Sequence, residues 1–487
     1  MLKIIKQITK WQIMFIIQLV ATSVLAFYII KLGALPTLYL AILLVVLLLL
    51  LVGLTLMMRP SKKKKKGKVR QYFGKILSLL LSIVMVVGTI YIAQGDSTLS
   101  EITGADEQVN TFSLIVLNDS QYQKISDLSG KTVGMCKLLD KEAHITEAHN
   151  ALVNEYSQLD FTYITDYNTL ADKLYSKDID AIYVNEAYIG MVEEKHPNLN
   201  NEVRSLWTYE ITEQIIDISK DVNVTKDVFT IFISGIDTRG KVSTVSRSDV
   251  NMLVTVNPIT KDILMTSIPR DCYITLDNMG RKDKLTHAGL GGVENSVKSL
   301  ENFLDIDINY YARVNFTSLI KIVNALGGID VYSPVAFTNT NGDLHVKKGT
   351  NHFNGEEALK FVRERYALGG GDGDRVANQQ RVLKAMLNKA MSPSIIKNYS
   401  KLLKSINGSF ETNMESSDIT NLIQMQLSDM ASWKFHSTTI SGSGKIMTGG
   451  AYMPSDKLYY LIPNEDSVQK CTDLIRKMTK GQSIETN

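Results

Sequence analysis

The chain has 487 residues, room for two or three domains, and its 53 basic against 50 acidic residues (net charge +3) argue against a dedicated nucleic-acid binder. Three cysteines, Cys136, Cys272 and Cys471, lie far apart and give neither a disulfide framework nor a metal knuckle. The fold must rest on its core.

Residues 1–94 are strongly apolar and carry nearly all their charge as lysine or arginine. Three spans stand out, at about 11–30, 36–58 and 76–93, each near the length a bilayer core requires. Lys3, Lys6 and Lys10 precede the first span. A lysine-rich loop over 59–75, with Arg59, Lys62 to Lys66, Lys68, Arg70 and Lys75, separates the second from the third. Only Lys31 links the first two. The positive-inside rule predicts a multi-pass cell-membrane protein with a cytoplasmic N-terminus and lysine loop, and everything after residue 94 outside. The first span lacks a small-residue cleavage site and another span follows at once, so it reads as retained rather than as a signal peptide. The lysine loop reads as a contact for anionic membrane lipid; DNA is its second reading.

Residues 95–110 are polar and read as a linker. Over 111–221 strands and helices alternate, with strands at Phe112 to Leu117 and Ile179 to Val184 and a helix at Leu170 to Lys177. This predicts a small α/β accessory domain, a spacer or regulatory unit. Its Leu-Ser-Gly-Lys-Thr-Val-Gly134 and Asp178-Ile-Asp-Ala-Ile segments faintly resemble a lobe of a solute-binding protein.

A second unit runs from Asp227, with its main part over 227–391 and a C-terminal part, 392–487, packed on it. Val228 to Ser234 reads as a buried strand. Val250 to Val256 and Ile263 to Ile268 read as a hairpin turned at Asn257-Pro258. Tyr310 to Val314 is a strand, and Ser318 to Leu326 a helix stopped by Gly327-Gly328. Asn354 with Glu357 forms a capping box that opens a helix through Arg363. Gly369 to Gly373 is a flexible loop leading into a helix from Asp374, its N-cap, to about Met391. Strands interleaved with helices predict a layered α/β domain.

Nine of the thirteen arginines lie between Arg239 and Arg381, and lysine shows no such focus, so general basicity does not explain the pattern. Arginine's planar fork suits bidentate phosphate binding, and carboxylates among such arginines suit a phosphate only with a divalent metal between them. Four segments carry the pattern: Gly235-Ile-Asp237-Thr-Arg239, Arg247-Ser-Asp249, Ser267-Ile-Pro-Arg270-Asp271, and Arg363-Glu-Arg365 with Asp374-Arg375 and Gln379-Gln380 after the glycine loop. The hairpin connects opposite ends of its strands, which puts Arg247, Asp249 and Arg270 near one edge. Arg375 and Gln379 lie one turn apart on one helix face, behind a helix start suited to anions. Taken singly, each residue has a plainer reading: an Asx turn at Asp237, a local ion pair between Arg247 and Asp249, a solvated face at Arg363-Glu-Arg365, a structural role for His287. No serine–histidine–aspartate pattern, Walker loop or dinucleotide fingerprint stands out.

Together the four segments, with Lys284-Leu-Thr-His, Val314-Asn-Phe and Ala325-Leu-Gly-Gly-Ile-Asp-Val, resemble the LytR–CpsA–Psr family of Gram-positive envelope enzymes over about 227–391. The three spans and the extra α/β unit resemble the capsule-locus members of streptococci. The resemblance implies an α/β/α layered extracellular domain with a central mixed sheet and an apolar groove for a polyprenyl chain. It implies transfer of capsular polysaccharide, or a related glycopolymer, from an undecaprenyl-pyrophosphate carrier to peptidoglycan. Carried over by position, Asp237 and Asp249 hold Mg²⁺ (or Mn²⁺). Arg247, Arg270, Arg363, Arg365 and Arg375, with Gln379, clamp the pyrophosphate, and Asp374 is a candidate metal ligand or base. Many members carry arginine where this chain has Asn378. The rival readings are a membrane-bound regulator of capsule genes and a polyprenyl-pyrophosphate phosphatase.

Overall fold

The computed structural model describes residues 10–60, 66–136, 139–236, 241–392 and 410–485. Asp237 and Lys62 to Lys65 therefore lie outside the described residues.

Among the described residues three helices are long and apolar enough to cross a membrane: α1 (Trp11–Leu32), α2 (Thr37–Met58) and α3 (Lys66–Ile102), the last qualifying over Lys68–Gly95. Their outward faces are apolar, and the bundle interior holds a polar knot. Gln18 is fully buried and its Oε1 accepts hydrogen bonds from Ser78 Oγ (3.0 Å) and Ser82 Oγ (2.8 Å). Side-chain hydrogen bonds of this kind tie helices together where lipid offers no hydrophobic incentive.

The expected linker over 95–110 is largely helix instead. α3 runs on to Ile102, and strand β1 (Glu107–Leu117) begins five residues later. Gly95, Asp96 and Ser97 read as a loop in sequence, but the helix is already nucleated by the apolar turns beneath them, so a few weak residues extend it at little loss. The accessory unit adds β2 (Thr132–Met135), β3 (Asp160–Tyr163), β4 (Ala181–Asn185) and β5 (Val203–Gln214) in the order β3-β2-β4-β1-β5. β5 pairs along the whole of β1.

The larger unit is built on six strands: β6 (Phe229–Ile236), β7 (Ser248–Asn257), β8 (Asp262–Ser267), β9 (Tyr310–Asn315), β10 (Phe410–Thr412) and β11 (Lys434–Thr439). Their order is β10-β9-β6-β7-β8-β11, with β9 parallel to β6, β11 parallel to β8 and the remaining pairs antiparallel, so the sheet is mixed as expected. Both edge strands come from beyond residue 391. The C-terminal part therefore completes the sheet rather than packing on a finished domain.

One sheet face, with Phe232, Leu253, Leu264 and Tyr311, is fully buried. Helices α4 (Phe316–Ala325), α5 (Gly355–Arg363) and α6 (Asp372–Ala390) form a cluster of their own through Val323, Leu326, Phe361 and Val382 on the other side. Asn354 and Glu357 form the reciprocal capping box of α5, and Gly327 and Gly328 end the turn after α4 at φ of 78° and 85°. Helix α7 (Ser416–Asp429) sits on the turn between α1 and α2, where Gln424 Nε2 donates to the carbonyls of Gly33 and Leu35. That contact fixes one end of the sheet against the membrane helices.

Candidate active site

The site lies at the far end of the sheet from α7. Along β6 and β7 the register shifts between Gly235, which pairs with Val250, and Ile236, which pairs with Ser248. Asp249 is thus the extra residue of a β-bulge, a device that turns a side chain out of the strand alternation. Gly235 makes room for it: a Cβ there would stand 2.6 Å from Val250 Cβ. Met252 pairs with Ser267 across the hairpin, which brings Arg270 beside Asp249 as the turn at Asn257-Pro258 predicted. Arg270 Nη1 donates to Asp249 Oδ2 at 3.0 Å, and Thr286 Oγ1 donates to Oδ1 at 3.1 Å. Burial opposes the charged carboxylate, but Arg270, Arg247 and Arg375 outweigh it and hold Asp249 at about 2.

Helix α6 supplies the opposite side. Arg375 pairs with Asp372 one turn earlier, and Arg365 Nε lies 3.9 Å from the same carboxylate. Burial pushes the Arg375 pKa down, and the like charges of Arg270 and Arg365 push it the same way against Asp372 and Asp249. Among the described residues, the buried Nε groups of Arg270, Arg365 and Arg375 find no hydrogen-bond acceptor. Arg270 Nε is 3.8 Å from Asp271 Oδ2, too long for a bond. Three buried guanidinium donors lacking acceptors are what a bound oxyanion would satisfy.

The structure thus brings together Arg247, Asp249, Arg270, Arg365 and Arg375. Other expected members are placed differently. Arg363 is exposed, its Cζ 4.6 Å above the ring of Phe316, one residue past Asn315, which pairs with Ile236. Asp374 is not the N-cap: α6 starts at Asp372, and Asp374 accepts from Gly370 N at 2.7 Å. Gln379 is half-buried one turn after Arg375, while Gln380 is the buried one and donates to Ser267 Oγ (2.9 Å) and the Thr438 carbonyl (2.8 Å), pinning α6 to β8 and β11. Asn378 is fully buried, donating to the Phe361 carbonyl at 3.2 Å and accepting from Arg381 Nη1 at 2.7 Å.

Three participants escaped the sequence reading. Asp372 hides in the glycine loop. Thr286 sits in Lys284-Leu-Thr-His, read only for its histidine. Glu364 is no solvated residue: it is buried and accepts from the backbone nitrogens of Thr340, Arg365, Tyr366 and Ala367, which shapes the turn carrying Arg365. His287 is structural as expected, fully buried with Nδ1 3.0 Å from Asp283 Oδ1.

A divalent metal was expected here. Among the described residues no three carboxylates, histidines or cysteines gather for one. The donor set still fits Mg²⁺, which takes one or two carboxylates and completes its shell with water and phosphate oxygens. Asp249 is ionised, and each of its oxygens retains acceptor capacity beyond the single bond it accepts.

Beside the cluster, the sheet face that carries Met252 and Val254 is covered unevenly. β6 is an interior strand, yet Ile231 and Ile233 are half-buried, as are Val250 and Val314, which both pair with Gly235 on that face. An apolar floor thus runs from the α7 end of the sheet to the arginines.

Fold and site together define a protein with membrane-type helices whose mixed α/β domain carries a cluster of buried arginines around a carboxylate at one end of its sheet. The chain belongs to the LytR_cpsA_psr family, whose model matches residues 195–477. It is 33% identical over 287 residues to the polyisoprenyl-teichoic acid–peptidoglycan teichoic acid transferase TagU of Bacillus cereus, covering 58% of this chain and 86% of that one. The TagU of Enterococcus faecalis is 31% identical over 253 residues, 51% of this chain and 82% of the relative. Among solved structures, B. subtilis TagV matches with 30% identity and a TM-score of 0.44, over 53% of this chain and 99% of that one.

Proposed function

We propose that this chain transfers a glycopolymer, capsular polysaccharide in our reading, from an undecaprenyl-pyrophosphate carrier to peptidoglycan at the outer face of the cell membrane. The reading is carried by one observation: Arg270 and Arg375 gather at the ionised Asp249, Arg365 shares Asp372 with Arg375, and among the described residues the buried Nε groups of all three lack an acceptor. The TagU relatives, named as polyisoprenyl-teichoic acid–peptidoglycan transferases, support the reaction class. In this account α1 to α3 anchor the chain with its N-terminus and lysine loop in the cytoplasm. The floor of Ile231, Ile233, Val250 and Val314 receives the polyprenyl chain, and the arginines grip the diphosphate.

Phosphoryl transfer needs charge neutralisation and positioning more than covalent chemistry from the protein. The four guanidiniums take up the negative charge of the two phosphates. Asp249 and Asp237 would hold Mg²⁺, which when bound neutralises diphosphate oxygens. A muramic-acid hydroxyl attacks the sugar-linked phosphorus; the bridging P–O bond breaks and undecaprenyl phosphate leaves, taking up the hydroxyl proton on its freed oxygen. Helix α7, docked on the α1–α2 turn, holds the groove's far end at the membrane, so the carrier's lipid tail need not leave the bilayer region entirely.

Product analysis tests this. The full-length protein in detergent is incubated with a polyprenyl-pyrophosphate-linked saccharide, with and without Mg²⁺ and peptidoglycan fragments. Acceptor-dependent appearance of a phosphodiester-linked glycan supports transfer. Equal phosphate release with water alone would make the chain a phosphatase using the same clamp, and no turnover in any arm removes the enzymatic reading.

A further inference from the structure

The transfer reaction gives the unit built on β1 to β5 no task, yet that unit is fused to the site. Ile115, Val184, Ile189 and Met191 belong to one continuous apolar core with Phe232 and Leu253 of the larger sheet. β1 also grips the segment that leads into Arg247: Val109 N donates to the Ser243 carbonyl at 2.9 Å, and Val245 N donates to the Val109 carbonyl at 2.8 Å.

The closest approach is a short helix, Ile189–Val192, and the two glutamates after it. The Arg247 guanidinium lies directly over Gly190. A Cβ built there would stand 2.5 Å from Arg247 Nε and 2.7 Å from Cζ and Nη2. Glu193 Oε2 is 3.9 Å from Arg247 Nη2. Glu194 takes both oxygens to Lys284 Nζ, at 2.9 and 2.8 Å, and Lys284 is 3.6 Å from Asp271, the neighbour of Arg270. A row of alternating charges therefore joins the accessory unit to both arginines that flank Asp249.

We propose that the accessory unit is a wall of the phosphate site, with Gly190 and Glu193 as positioning residues that set the Arg247 guanidinium. Only a glycine leaves the guanidinium its place, and the Glu193 carboxylate orients its Nη2 end. Arginine's advantage over lysine is its fixed planar geometry, which is lost if the plane is tilted. The inference rests on Arg247 being part of the diphosphate clamp.

The test uses the full-length protein in detergent, with geranylgeranyl pyrophosphate and Mg²⁺ as the probe. In Gly190→Ala the nearest neighbours of the new methyl are the end of a flexible side chain, so the fold is retained and the guanidinium shifts. Binding is expected to weaken about tenfold, the scale of one misplaced charge-assisted hydrogen-bonding pair. In an Arg247→Ala background the same change is expected to do nothing further. Wild-type affinity in Gly190→Ala, or an equal loss in the Arg247→Ala background, overturns the inference. Glu193→Gln, which introduces no bulk, is expected to weaken binding several-fold through Arg247 alone; tighter binding would make Glu193 a competitor of phosphate and overturn the positioning role. Failure of the wild-type protein to bind the probe removes the clamp and this inference with it, whereas normal wild-type binding with unmoved variants sinks the inference alone.

Discussion

Glu194→Gln is the sharpest probe of how the two α/β units are held together. The Glu194 side chain is 19% exposed and faces Lys284, itself 4% exposed, and His287 Nε2 at 3.8 Å. Burial raises the carboxyl pKa, but His287 and Lys284 outweigh it and hold Glu194 at about 2 against an ordinary 4.5. A depression of that size is worth roughly 3 kcal/mol at neutral pH. The sign follows from linkage. A carboxyl whose folded pKa is depressed contributes stability that is present above its unfolded pKa and is lost as pH falls toward the folded value. The gap in unfolding free energy between wild type and Glu194→Gln is therefore full at pH 6 and narrower by about 1.4 kcal/mol at pH 3.5, one pH unit below the unfolded pKa. Urea unfolding of the detergent-solubilised chain, followed by tryptophan fluorescence at both pH values, measures it. A gap independent of pH, or smaller than about 0.5 kcal/mol throughout, would refute an ionic tie at Glu194 and leave the shared apolar core as the whole of the union.

Asp249→Ala abolishes acceptor-dependent transfer in the product assay while the variant stays folded by circular dichroism; normal Mg²⁺-dependent turnover would refute its role. Asp372→Asn removes the carboxylate that Arg365 and Arg375 share. Its melting temperature without ligand is lower than that of wild type, and saturating pyrophosphate raises it by more than it raises the wild type, because the ligand then supplies the missing negative charge. A smaller rise counts against an anion between those arginines. Gln18→Leu strips Ser78 and Ser82 of their shared acceptor and loosens the membrane bundle by about 1 kcal/mol, read as a lower detergent concentration for loss of helix packing. An unchanged midpoint would mean that the knot is passive.

Much of the larger unit was legible because its signals are local. Period-two apolar runs, the Asn257-Pro258 turn, the Asn354–Glu357 capping box and the Gly327-Gly328 stop each act within a few residues, and each appears where expected. From them alone the hairpin brought Arg247, Asp249 and Arg270 to one edge. What stayed hidden depends on distant partners. β11, Lys-Phe-His-Ser-Thr-Thr, is too polar to read as a strand until β8 supplies a parallel neighbour. Glu193-Glu-Lys195 carries no signal of its own in the sequence, and only the folded chain shows Lys284 and Arg247 across from it. The start of α6 was set two residues late because Asp374 resembles an N-cap. The glycines let the helix begin at Asp372 instead, and that shift exposed the carboxylate between the two arginines.

The central claim is that guanidiniums from separate segments grip one diphosphate. Calorimetric titration of pyrophosphate with Mg²⁺ into the full-length protein tests it most directly, comparing wild type with Arg270→Ala and Arg375→Ala. One site is predicted, weakened roughly ten- to hundredfold by either substitution, since each removes a buried charged donor. Unchanged affinity in both variants would contradict it.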